Sequence, residues 1–104
     1  MRVISQDGTM DVPYENVVLY QDEKEIMCIF SGVYIGRKLA RYSTTEKTEK
    51  AMEMLRKSYE NNEFYHCIAG SKCFEEVRSI LSEEQFRKAT TEYFQFPQDD
   101  EIEV

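Results

Sequence analysis

The chain is short of the features that usually announce a function. Its apolar runs fall well below the roughly 18 residues of a membrane span, so no transmembrane helix is expected. Three cysteines, Cys28, Cys67 and Cys73, make an odd count with no disulfide-scaffold spacing and no C-x₂-C pair. There is a single histidine, His66, and neither a G-x-x-x-x-G-K-[ST] nor a G-x-G-x-x-G loop to cradle phosphates. Positive charge is scarce: 13 Lys and Arg against 20 Asp and Glu leave a net charge of −7. That sign disfavours general attraction to nucleic acid or anionic lipid. The opening Met1-Arg2-Val3-Ile4-Ser5-Gln6-Asp7 meets an acid before any apolar stretch, unlike a signal peptide. With unpaired thiols, this predicts a reducing cytoplasmic setting.

What is present can fold. A length of 104 residues with 41% hydrophobic content, seven Tyr and six Phe fits one domain with a modest core. Strand candidates fill the first half. Arg2–Ser5 stops at the turn pair Asp7-Gly8, and Met10, Val12 and Tyr14 alternate with Asp11, Pro13 and Glu15. Pro13 cannot donate to a ladder, so that stretch is expected at a sheet edge. Val17–Tyr20 and Ile26–Phe30 flank the charged Gln21–Glu25 as a hairpin would. Ser31-Gly32 is a second turn, and a further strand, broken near Gly36, runs from Val33 to Tyr42.

At Ser43 the period changes. Ser43-Thr44-Thr45-Glu46 fits a capping box, and Thr48, Ala51, Met52, Leu55 and Tyr59 then line one helical face until Asn61-Asn62. Phe64–Ala69 is a short strand candidate. A second helix opens at Gly70-Ser71 with Phe74, Val77 and Leu81 as its stripe, and Ser82-Glu83-Glu84-Gln85 can cap a restart. The last strand is expected at Thr91–Phe96. The expected fold class is therefore α+β: an antiparallel sheet from the N-terminal half plus a C-terminal strand, with two helices packed on one face.

Candidate sites are sparse. Cys28, Cys67, Cys73 and His66 supply the donor types of a zinc centre, but the nearest thiols are six positions apart (73 against 67), and His66 beside Cys67 on a strand would face the other way. A Cys–His nucleophile would need a third orienting group that the sequence does not offer. The pairs Glu75-Glu76 and Glu83-Glu84 sit side by side on helices and do not converge. No cofactor is expected, and the chain is expected not to be an enzyme. Arg37, Lys38, Arg41, Lys47 and Lys50 form the one basic cluster, near Tyr34 and Tyr42, which is a solubilising face that can neutralise part of the acidic end, or a weak single-strand platform.

The ending is the most distinctive stretch. Tyr93-Phe94-Gln95-Phe96-Pro97 is a strand stopped by proline, and four of the last six residues are acids; without them the body carries −3. Residues 1–97 are expected as the domain and 98–104 as a flexible acidic tail. The candidate partner-binding residues are Asp99, Asp100, Glu101, Ile102, Glu103 and Val104: Glu101-Ile102-Glu103-Val104 could add a strand to a partner sheet, and Asp99-Asp100-Glu101 could imitate phosphates in a basic groove. The bland alternative is a solvated tail that only aids solubility.

Three blocks together carry a resemblance: Met1–Thr9 running into Asp11-Val12-Pro13-Tyr14-Glu15, Ala40-Arg41-Tyr42-Ser43-Thr44 with Ala51–Arg56, and Phe94-Gln95-Phe96-Pro97 with its acidic end. They resemble a family of small uncharacterised proteins of Firmicute phages and integrated mobile elements. The resemblance implies an accessory role in a Gram-positive cytoplasm, and no reaction. The expected function is a small protein-interaction module with an unidentified protein partner. The alternatives are an acidic nucleic-acid mimic that inhibits a host or defence enzyme, or a minor virion component.

Overall fold

The computed structural model of the chain describes residues 1–30, 32, 35–68, 74–90 and 92–103, with 68, 74, 77 and 88–90 by backbone alone. The elements are β1 (Arg2–Ile4), β2 (Asp11–Pro13), β3 (Val17–Asp22), β4 (Glu25–Phe30), β5 (Arg37–Arg41), α1 (Thr45–Ile68), α2 (Phe74–Ile80), α3 (Glu83–Thr90) and β6 (Tyr93–Gln95). Short 3₁₀ turns follow β2 and β6, at Tyr14–Asn16 and Asp99–Glu101. The class is α+β.

The strands divide between two three-stranded sheets, ordered β2-β1-β6 and β3-β4-β5. A single antiparallel sheet was the expectation, and β6 does join β1, but in parallel register, Val3 facing Phe94. Alternation shows which face a strand buries without choosing its neighbour or direction. Pro13 lies on the edge strand β2, as its missing N–H requires. The β1–β2 turn is built by Asp7, whose carboxylate accepts from the Thr9 hydroxyl and amide and from the Ser5 hydroxyl. Those bonds, Thr9's foremost, hold its carboxyl down to about 2. Gly8 there takes φ 78, a value glycine adopts without steric penalty.

The β3–β4 hairpin is longer than its apolar runs imply. The ladder continues to Asp22 opposite Glu25, leaving only Glu23 and Lys24 as the turn. Cys28 and Ile26 of β4 point inward with Val3, Val12, Leu39, Ala40, Tyr42, Ala51, Leu55 and Phe96 into one buried cluster. Helix α1 covers this cluster with the stripe read from its periodicity: Thr48, Ala51 and Leu55 are buried, Met52 and Tyr59 half-buried. Tyr59 stacks on Tyr14 at 4.4 Å between ring centroids.

Three local expectations change. The helix is capped by Thr44, whose hydroxyl accepts the Lys47 amide at 3.2 Å, so the cap lies one residue later than Ser43, and with Lys47 rather than Glu46 at the third helical position no reciprocal box closes. Asn61-Asn62 does not end α1, which runs to Ile68, so Phe64–Ile68 is helical rather than a strand. Packing overrides the asparagine signal there: Tyr65 meets Phe86 of α3 edge-on at 6.0 Å. The Ser82 box forms as expected, with the Ser82 amide donating to Gln85 Oε1 and the Gln85 amide to Ser82 Oγ. Ser31, Val33, Tyr34, Ala69, Gly70, Ser71, Cys73, Thr91 and Val104, on which several expectations fell, lie outside the described residues, as do the side chains of Phe74 and Val77.

Candidate functional site

The acidic ending is built into the domain. Phe96 is 1% exposed and packs edge-on against Phe94 at 5.2 Å, which anchors the chain as it leaves β6. The Pro97 carbonyl then accepts from the Tyr42 hydroxyl at 2.8 Å and from Gln6 Nε2 at 3.2 Å. Gln98 closes the turn: its amide donates to Glu101 Oε1, and its side chain donates to the Gln6 carbonyl at 2.7 Å. After the turn Ile102 returns to the core, 4% exposed.

Asp99 ties this turn to the start of α1. Its Oδ1 accepts the Ser43 amide at 2.6 Å, and its Oδ2 accepts from the Ser43 hydroxyl at 3.1 Å and from Lys47 Nζ at 3.2 Å. Lys47 Nζ also donates to the Asp99 carbonyl at 2.9 Å. The Ser43 amide, with help from Lys47, holds the Asp99 carboxyl below its ordinary value. Burial pushes the Tyr42 phenol well up, and the carboxylates of Asp99 and Glu101 push it further, so it stays a neutral donor to Pro97.

The expectation of a flexible 98–104 tail is thereby corrected for residues 98–103. The single apolar side chain among the acids finds a core site, and Asp99 finds a cation and an amide. The candidate residues consequently separate into two groups. Asp99 and Ile102 face the body, whereas Asp100, Glu101 and Glu103 are exposed; Val104 lies outside the described residues. Strand addition by residues 101–104 would require Ile102 to leave the core. The holders of the turn, Gln6, Tyr42, Ser43 and Lys47, were not singled out together by the sequence, because they come from distant segments.

Other candidates disperse. Cys28 is buried in β4, and its thiol is pushed up by burial, while His66 and Cys67 are exposed near the end of α1. Among the described residues no group of three or more His, Cys, Asp or Glu is close enough to hold a metal. His66 Nε2 lies 3.7 Å from Glu92 Oε1 beside a groove of about 290 Å³. In the basic cluster, Lys38 and Arg41 approach Glu25 at 4.0 and 3.8 Å, and Lys47 serves Asp99. Glu75, Glu76, Glu83 and Glu84 are exposed on α2 and α3. A second groove, of about 270 Å³, runs between β3 and α1, lined by Tyr14, Val17, Leu19, Met52, Leu55 and Arg56. No helix of the described residues is long and apolar enough to cross a membrane.

Comparison of the chain with protein-family models, with curated proteins and with solved structures finds no match.

Proposed function

We propose that this chain is a small, non-enzymatic protein-interaction module that offers its acidic turn to a basic surface on a partner protein. One observation supports this above the others. Asp100, Glu101 and Glu103 project from a turn pinned on both sides by the buried Phe96 and Ile102. A carboxylate group fixed before binding loses less conformational freedom on docking than a disordered tail does. The phage-protein resemblance fits such an accessory role in a Gram-positive cytoplasm.

The acidic-mimic alternative draws less support, because Asp99 is already committed to Ser43 and Lys47. That leaves a short patch in place of the long carboxylate row that a duplex imitation needs. The test is affinity capture from lysogenic cells with the wild type and with Asp100→Lys/Glu103→Lys. Glu101 is spared because it receives the Gln98 amide. A partner retained by the wild type and lost by the double variant, with unchanged melting, supports the proposal. Equal capture by both proteins refutes it.

A further inference from the structure

The described sheets have four edges, and three of them are blunted against further pairing. β2 is three residues long and contains Pro13, and β6 is three residues long and is followed by Pro97. β5 carries Arg37, Lys38 and Arg41, and its open side is occupied by Gln6, whose amide donates to the Leu39 carbonyl while its side-chain oxygen accepts the Arg41 amide. Short length, proline, cationic side chains and a covering segment are the usual protections of an edge. β3 has none of them. It is six residues long, Val17-Val18-Leu19-Tyr20-Gln21-Asp22, pairs with β4 in unbroken register and carries its one charge at the end.

The ladder fixes which backbone groups are free. The hairpin closes on Asp22 and Glu25 across two residues, so Asp22, Tyr20 and Val18 exchange their bonds with β4. Val17, Leu19 and Gln21 then point N–H and C=O away from the sheet, and no hydrogen bond from the described residues reaches them. Val18, on the face away from α1, is 62% exposed.

We propose that β3 pairs antiparallel with β3 of a second copy of this chain, joining the two β3-β4-β5 sheets into one of six strands. The strand is complementary to itself about Leu19. Leu19 meets its own mate, Val17 meets Gln21, and Val18 meets Tyr20, so two aromatic–β-branched pairs form. Asp22 falls opposite Asn16, away from the other copy's Asp22. The free groups of Val17, Leu19 and Gln21 supply about six backbone hydrogen bonds across the twofold axis. Leu19 of the second copy comes to the mouth of the groove between β3 and α1, beside Met52 and Leu55.

The molecule is more open than a compact monomer of its mass. Its accessible area is 7076 Å², where a compact monomer of 12.3 kDa exposes about 6,100 Å². Its radius of gyration is 15.4 Å, against about 13 Å for this length. The pairing is independent of the acidic turn and would make the module bivalent.

The test is sedimentation equilibrium of the full chain from micromolar to millimolar concentration, with amide hydrogen exchange at both ends of that range. The expected result is a dimer whose Val17, Leu19 and Gln21 amides gain protection as concentration rises. Val18→Lys, at an exposed position, sets two ammonium groups diagonally across the joint and should raise the dissociation constant at least tenfold with the dilute melting temperature unchanged. Gln21→Pro, which removes an outward N–H, should do the same; if it fails to fold, Val18→Lys decides. A wild type that stays monomeric throughout overturns the proposal and leaves the edge to a strand from another protein. A dimer indifferent to Val18→Lys, or without concentration-dependent protection of those three amides, also overturns it.

Discussion

Ile102→Ala should destabilise the whole domain, although its position amid acids looks dispensable. The side chain is 4% exposed and belongs to the same buried cluster as Phe96 and Tyr42. Truncation removes three carbons, worth about 0.8 kcal/mol each when buried, or about 2–3 kcal/mol once partial collapse limits the cavity. That is a large share of the roughly 5–15 kcal/mol available to a domain. At roughly 4–8 °C per kcal/mol, the melting temperature should fall by about 10–20 °C. Urea and thermal melts followed by far-UV circular dichroism read both quantities. Glu103→Ala, exposed and one residue away, should stay within about 0.5 kcal/mol of the wild type. If Ile102→Ala also stays within that margin, the ending does not dock and the packing argument is wrong.

Further outcomes follow from the same geometry. Leu55→Asp should unfold the domain, because an unpaired carboxylate at a site 1% exposed has no partner, whereas Lys50→Asp on the exposed face should leave it folded; melting curves separate the two. Thr44→Ala should cost about 1 kcal/mol as the loss of an N-cap, measured by urea titration; no loss would mean that Thr44 does not cap α1. Asp7 and Asp99 have depressed carboxyl values, so their contributions are present above the unfolded value of about 4 and vanish as pH falls through the folded ones. Asp7 reaches about 2, so Asp7→Asn should flatten the decline of melting temperature between about pH 4 and 2. Chelator should leave the melting temperature unchanged, since Cys28 is buried in β4 while His66 and Cys67 are exposed near the end of α1.

Much of this architecture was legible where the signal is local. The α1 stripe and the Ser82 cap follow from helical spacing, the β3–β4 hairpin from two apolar runs around a charged break, and the edge position of β2 from Pro13. What was not legible depends on distant partners. Alternation could not tell that β1 would take β6 in parallel, or that β5 would sit in a different sheet from β1. Asn61-Asn62 looked like a stop because nothing local announces the Tyr65–Phe86 contact. Ile102 alone among acids has no period to betray it. Asp99 meets Ser43 and Lys47 across more than 50 residues of sequence; the charge pattern offers the basic cluster as a counterpart to the acids but cannot choose Lys47 within it or point to the Ser43 amide.

The central claim is that the acidic ending is a fixed part of the domain, so that its exposed carboxylates form a standing surface. Amide hydrogen exchange read by NMR tests it most directly. The Ser43 amide, bound to Asp99, and the Gln98 and Glu101 amides, closed within the turn, should exchange far more slowly than unstructured amides. All three should slow together and be released together in Ile102→Ala. Exchange at Gln98 and Glu101 at the unstructured-chain rate would contradict the account and return the ending to a solvated tail.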